Sequence, residues 1–366
     1  MSLKCGIIGI ANSGKTTLFN CMSDFKAQIS SYAFSNQKSN FGVANVPDNR
    51  LAEIDKLVKA DKMIYATIDF IDIPGLVRGA SQGSGMGNSF LADVRLAETL
   101  IHVVRCFDDA RLPHIEGSID PVRDKEIIDL ELQVKDLEQI EKKITKVEKA
   151  LSTGDKSAKV KYDSLIKLKN AIEDFKNIRD IELDDNDKDI INELCLLTSK
   201  PVIYVCNVDD KSVINYNDYV KKFIGATNNE NTKVLVIAGA FEADIASFED
   251  GEDRKMFLDD MGLEEPGINK LARVAYELLD LISFFTIAGR KESRAWTIRR
   301  GTNAQKSAGA IHNDMERGFI RAEVIGYEDF VKYKSELACK EQGKLRLEGK
   351  QYIVQDGDII RIRFNV

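Results

Sequence analysis

The chain has 366 residues, 43% hydrophobic and 30% charged, with a formal net charge of −7. This composition suits a globular chain of two to three domains. With 24 glycines and 6 prolines, it excludes a collagen-like or low-complexity chain, and the negative charge argues against a general nucleic-acid binder.

Residues 3–10 form a short apolar run that predicts a buried strand, and residues 15–22 predict a helix after a brief turn. Further strands are predicted at 68–73, 99–106, 202–206 and 233–237, with helical stretches between several of them. That alternation is the pattern of a doubly wound α/β domain. Residues 123–198 interrupt it. Leu130, Leu137, Ile144 and Leu151 recur every seven residues, and Ile140 and Val147 fill the interleaved heptad positions. A second stripe of Leu165, Leu168, Ile172 and Phe175 follows. Two helices folded into an inserted coiled-coil hairpin are expected there. From residue 283 the chain changes character. Segments 296–298, 319–325, 351–354 and 359–364 are β-prone, 330–336 is predicted helical, and Asp356-Gly357 marks a turn. The expected division is a doubly wound α/β domain of residues 1–122 and 199–282, a helical insertion of 123–198, and a small α+β module of 283–366.

Charge follows this division. Residues 283–366 hold 16 Lys and Arg against 11 Asp and Glu, whereas the rest holds 36 against 48. A basic end on an acidic body suggests an RNA-facing surface, with Arg290, Lys291, Arg294, Arg299, Arg300 and Lys306 available for phosphate. No apolar run approaches the ~20 residues needed to cross a bilayer. The start of the chain has no basic segment leading an apolar one, so secretion is not expected. The six cysteines (Cys5, Cys21, Cys106, Cys195, Cys206, Cys339) form neither a disulfide framework nor a zinc set, and a reducing cytoplasm is expected.

The most specific motif is Gly9-Ile10-Ala11-Asn12-Ser13-Gly14-Lys15-Thr16. It is a complete G-x-x-x-x-G-K-[ST] set between a predicted strand and helix, where backbone N–H groups and a helix N-terminus cradle phosphate. Asn12, Ser13, Gly14, Lys15, Thr16 and Thr17 are candidate nucleotide contacts. Lys15 would reach the β- and γ-phosphates, and the Thr16 hydroxyl would ligate Mg²⁺. Asp72-Ile73-Pro74-Gly75 supplies a second metal-facing carboxylate, Asp72, and a γ-phosphate-sensing amide, Gly75. The glycine-rich run 79–87 is expected to be a mobile loop ordered by the γ-phosphate. A third motif, Asn207-Val208-Asp209-Asp210, stands where GTPases carry N-K-x-D, with Val208 in place of the lysine and Asp210 as the base-reading acid.

Taken in order, these motifs resemble a YchF-type Obg-like ATPase, a TRAFAC-class P-loop NTPase. The resemblance covers essentially the whole chain, including residues 102–107, 242–245, 262–267, 294–298 and 352–358. It implies a P-loop G-domain with a helical coiled-coil hairpin and a C-terminal TGS domain of β-grasp fold. It also implies Mg²⁺-dependent ATP hydrolysis and association with the ribosome or its large subunit, in translation and stress responses. In this family a histidine from a nearby mobile loop takes the place of the missing water-orienting glutamine, and here Leu76 follows Gly75. The matching residue is His114, which read alone is an ordinary loop residue. Asn12 matches an asparagine that helps bind K⁺ in related proteins.

Three features depart from the family pattern, the first being Ala11 and Ser13 in the phosphate loop, where the family has Pro and Val. Asn36 stands where a switch threonine would ligate the metal, with Ser35 beside it, and Asp210 replaces a glutamate. The readings left open are a GTPase or dual ATP/GTP hydrolase, and a ribosome or RNA adaptor whose slow hydrolysis resets its shape. The helical and C-terminal modules would carry the ribosome or rRNA contact, with no membrane partner and a monomer expected.

Overall fold

The computed structural model describes residues 4–23, 40–74, 86–151, 156–230, 232–248 and 251–365. It divides into two compact units, Met1–Val43 with Asp69–Leu271, and Ala44–Ile68 with Ala272–Val366. The elements in chain order are β1 (Lys4–Ile8), α1 (Lys15–Ser23), β2 (Asn40–Val46), α2 (Asn49–Val58), β3 (Met63–Ile64), β4 (Ala66–Asp72), α3 (Met86–Leu96) and β5 (Thr99–Arg105). They continue with α4 (Pro121–Leu151), α5 (Lys156–Glu173), α6 (Asp185–Leu194), β6 (Val202–Asn207), α7 (Asp218–Thr227), β7 (Lys233–Ile237), α8 (Gly239–Ser247), α9 (Gly251–Asp260) and α10 (Gly267–Leu278). The remainder is β8 (Leu281–Ile287), β9 (Ser293–Arg299), α11 (Ala304–Ile311), α12 (Asn313–Arg317), β10 (Phe319–Gly326), α13 (Tyr327–Tyr333), α14 (Glu336–Glu341), β11 (Arg346–Glu348) and β12 (Asp358–Phe364). Among the described residues no helix is long and apolar enough to cross a membrane.

The sheet of the first unit has the order β2-β4-β1-β5-β6-β7. β1 pairs parallel with β4 and β5, and β6 pairs parallel with β5 and β7. Every residue of β5 and β6 is buried, as expected for parallel strands covered on both faces. Ile8, Ile71, Val104 and Tyr204 of the sheet share one core with Ile128 and Leu132 of α4 and Phe223 of α7.

The predicted hairpin is α4 and α5, with α6 packed on it. Ile140, Ile144, Val147, Leu165, Leu168 and Ile172 form its core together with Ile178 and Ile190. Two stripe residues lie elsewhere. Leu130 is exposed, because α4 turns Ile127, Ile128 and Leu132 inward and leaves Leu130 on the opposite side. Phe175 is 77% exposed; it follows the end of α5 in a left-handed conformation, φ 59°. A buried polar network fixes the base of the hairpin. Lys125 bridges Asp129 at 2.9 Å and Glu230 at 2.7 Å, and Arg179 reaches Asp129 at 3.0 Å. Asp136 accepts the Leu197 and Thr198 amides, both at 2.8 Å, and burial pushes its carboxyl up to about 6.

The sheet of the second unit has the order β11-β10-β12-β8-β9-β3. β12 and β8 pair parallel at its centre, with the β8–β9 and β10–β12 pairs antiparallel on either side. This β-grasp sheet packs Ile282, Phe284, Val324 and Ile360 against Ala304 and Ala308 of α11. Two segments differ from expectation. Residues 351–354 form no strand; a single pairing of Ile353 with Asn303 is made instead. The helix expected over 330–336 is two helices, α13 and α14, because Lys334 turns left-handed at φ 65° and Ser335 caps the second. Residues 44–68, read from sequence as G-domain, group with this unit. Here β3 pairs with β9, α2 buries Leu51 and Ile54, and Arg50 reaches Asp356 at 3.0 Å.

Candidate active site

The parallel strands of the first unit end at one edge of the sheet, and the site is assembled from the turns that follow them. After β1 the chain passes through residues 9–14 into α1. A Cβ on Gly9 would lie 2.4 Å from the Val103 carbonyl of β5, and one on Gly14 would lie 2.0 Å from Asn207 Nδ2. Both glycines also have positive φ, 149° and 94°, so no other residue fits either place. Asn12 takes a left-handed φ of 62°, which asparagine tolerates better than most residues. Lys15 Nζ donates to the Ile10 carbonyl at 2.7 Å and draws the loop round into a ring.

The Thr16 hydroxyl donates to Asp72 Oδ2 at 3.0 Å. The two sequence-predicted metal ligands thus meet, one from the first turn of α1 and one from the end of β4. Asp72 is 6% exposed. Burial raises its pKa, and the Thr16 bond and the Lys15 charge pull it back. Burial lowers Lys15 to about 8, and the Asp72 charge opposes this. Both groups are therefore short of solvation, their mutual attraction offsets this only in part, and polyphosphate and a hard cation would add counter-charge. Gly75, Leu76, Ser35, Asn36 and residues 79–85 of the glycine-rich run lie outside the described residues.

Asn207, at the end of β6, ties the site together. Its Nδ2 donates to the Ser13 carbonyl at 2.9 Å, and its Oδ1 accepts the Gly239 amide at 2.9 Å. A cavity of about 550 Å³ opens beside it, lined by Asn12, Lys15, Thr16, Thr17, Val208 and Asp210, among others. Val208 is buried and gives this wall an apolar surface. Asp209 caps the single 3₁₀ turn Asp210–Ser212 by accepting the Ser212 amide at 3.1 Å. Asp210 is exposed, and its pKa is raised by the partial loss of solvent around its carboxylate and by the charges of Asp244 and Asp209. Ser13 is wholly buried, and its side chain is not part of the cavity wall.

His114 is also absent from the wall. Its Nε2 lies 2.9 Å from Asp124 Oδ2, although Phe107, Asp109 and Leu112 of the same loop do line the cavity. The neighbouring Pro113 carbonyl accepts from Asn12 Nδ2 at 3.2 Å. Sequence reasoning named this loop only for His114 and missed Phe107, Asp109 and Leu112 as cavity-lining residues, as it missed Gly239 and Ala240 after β7. The signal available was positional: each follows a parallel strand, so each emerges at the same sheet edge as the phosphate loop.

Comparison with known proteins gives a consistent picture. Residues 4–152 match a family described as 50S ribosome-binding GTPase. Residues 281–365 match the YchF-GTPase C-terminal family, described as a protein of unknown function. A Bacillus subtilis protein named ribosome-binding ATPase YchF is 43% identical over 368 residues, covering 100% of both chains. A Haemophilus ducreyi protein of the same name is 44% identical over 366 residues, again covering 100% of both. The solved structure of the Schizosaccharomyces pombe YchF GTPase superposes with a TM-score of 0.87 at 33% identity, covering 99% of this chain and 98% of that one. With a phosphate loop of this form and full-length relatives at such identity, the chain belongs to the YchF family of P-loop nucleoside triphosphatases.

Proposed function

We propose that this protein hydrolyses ATP to ADP and phosphate and binds the ribosome or its large subunit in the cytoplasm, with the nucleotide state gating that association. The observation that carries the catalytic half is the convergence of Lys15, Thr16 and Asp72 beneath the phosphate loop, with Thr16 and Asp72 3.0 Å apart. In this reading water attacks the γ-phosphorus, the bond to the β–γ bridging oxygen breaks, and ADP leaves. Lys15 neutralises charge on the β- and γ-oxygens, and Gly75, by its motif, is the residue whose amide would sense the γ-phosphate. His114 orients the attacking water. The oxygens of Thr16 and Asp72 are the donor type that a hard divalent cation takes, and their burial fits one. Mg²⁺ held there would supply Lewis-acid stabilisation of the phosphate charge. For K⁺ the fitting donor is the Asn12 amide oxygen.

The base is read by Asn207, Val208 and Asp210. Val208 offers no lysine stem to stack on guanine, which favours ATP. Asp210 keeps the acid that accepts from guanine, and the Schizosaccharomyces pombe relative is named a GTPase, so GTP is the second reading. In functional terms residues 1–122 with 199–282 bind and hydrolyse the nucleotide, while 123–198 and 283–366 face the ribosome. The basic run of the second unit supplies part of that face: Arg294 lies over the Trp296 ring at 4.0 Å, and Arg300 pairs with the exposed Asp280 at 3.0 Å.

Titration of the full chain with ATP and with GTP, Mg²⁺ and K⁺ present, tests the assignment. Tenfold tighter ATP binding, about 1.4 kcal/mol, is expected, with hydrolysis stimulated by purified large subunits. Tighter GTP binding by the same margin would replace the ATPase reading with the second one.

A further inference from the structure

His114 stands where its proposed role does not put it. The Glu116 backbone amide donates to its Nδ1 at 3.1 Å, so the ring proton is on Nε2, 2.9 Å from Asp124 Oδ2. Both nitrogens are committed, and neither is left to hold a water. The pair is enclosed, with side-chain exposures of 4% for His114 and 1% for Asp124.

Asp124 is itself clamped. Its Oδ1 accepts Arg123 Nε at 3.1 Å and Nη2 at 2.8 Å, and Arg123 Nη1 reaches Ser118 Oγ at 2.9 Å. It sits in the first turn of α4, where the helix dipole stabilises a carboxylate. The same helix runs on through Lys125, Asp129 and Asp136, the anchors of the hairpin base. On its other side the His114 loop is fastened to the phosphate loop by the Asn12–Pro113 hydrogen bond. One short loop therefore has one tie to the nucleotide site and one to the root of the helical insertion.

We infer that Asp124 is a positioning residue that holds His114 withdrawn from the nucleotide cavity. Displacement of the first turn of α4, or rotation of Asn12 toward bound phosphates, then sets how often the histidine reaches the γ-phosphate. The inference rests on the reading of His114 as the water-orienting group. A hydrogen bond to a carboxylate is roughly twice as strong as one to a neutral amide, so Asp124→Asn keeps the shape and loosens the hold.

The test is steady-state ATP hydrolysis by the full chain without ribosomes. Asp124→Asn is expected to raise kcat about fivefold with KM unchanged, and Arg123→Ala to raise it less. The double variant Asp124→Asn/His114→Ala is expected to fall to the level of His114→Ala. An unchanged or lowered kcat in Asp124→Asn, with His114→Ala impaired, overturns the role of Asp124 alone. Wild-type turnover in His114→Ala overturns the reading of His114 and this inference with it. Should Asp124→Asn not fold, ¹⁵N NMR of the three histidine rings of the wild-type chain decides. The Nε2–H tautomer at His114, lost in Arg123→Ala, supports the hold; the Nδ1–H tautomer overturns it.

Discussion

Replacing Asn207 by alanine removes two buried hydrogen bonds at once. The Ser13 carbonyl loses its donor and the Gly239 amide loses its acceptor, each from a 2.9 Å contact. A buried polar group left unsatisfied costs about 1–3 kcal/mol. Water entering from the adjacent cavity relieves part of this, which leaves a loss of about 2–4 kcal/mol. The affinity for ATP falls as well, because Ser13 then has nothing to hold it against β6 and the phosphate loop must be ordered at the expense of binding. A tenfold or greater rise in Kd is expected. Asn207→Asp isolates one arm: the Gly239 amide keeps an oxygen to donate to, while the Ser13 carbonyl faces a second acceptor. The assay is urea unfolding with and without ATP, following the transition that nucleotide shifts, combined with calorimetric titration. Stability within 0.5 kcal/mol of wild type and an unchanged Kd in Asn207→Ala would refute the bridging role.

Further outcomes are expected at the nucleotide site and in the hairpin. Lys15, lowered to about 8 by burial, loses its proton in the free protein near that pH and keeps it beside bound phosphate. ATP affinity should therefore be level below pH 7 and weaken above pH 8 by up to tenfold per unit, and titrations of Lys15→Arg should show this slope flattened. In the hairpin core, Leu165 is 0% exposed, and Leu165→Ala should cost about 3 kcal/mol. Phe175→Ser, at a site 77% exposed, should stay within about 0.5 kcal/mol in the same urea series. Chelation of divalent cations should abolish ATP turnover while leaving the circular dichroism spectrum intact, and Thr16→Ala should lower kcat by at least about 100-fold with added Mg²⁺ failing to restore it.

The phosphate loop was legible because its chemistry is local: glycines at two forced backbone positions, a lysine and a hydroxyl within eight consecutive residues. Asp72 was legible for a related reason, lying at a strand end soon after that loop. The hairpin was legible from its period, but Leu130 was not placed correctly. A heptad shows which residues share a stripe, not which stretch of the helix lies on a sheet instead of its partner. Phe175 failed because the stripe continued past the point where the backbone turns left-handed. His114 came from family resemblance, and the hold of Asp124 on it has no sequence signature, since it joins an irregular loop to the first turn of α4, ten positions further on. Gly239 was missed because its contact with Asn207 spans 32 residues and exists only once β6 and β7 are paired. Residues 44–68 were assigned by adjacency in the chain, whereas their partners lie near its far end.

That last feature bears on how the chain is made. Arg50 and Asp356 are 306 residues apart, and β3 can form only after β9 has been synthesised. At roughly 5–20 residues per second, Arg50 leaves the exit tunnel about 15–60 seconds before its partner. Until β9 emerges, Leu51 and Ile54 of α2 have no sheet to cover them. Residues 44–68 are thus translated soon after the phosphate loop, yet they are among the last parts of this molecule to be completed. A nascent chain stalled before residue 293 would carry the whole nucleotide-binding motif set with Leu51 and Ile54 bare, and it would be a ready client for chaperones.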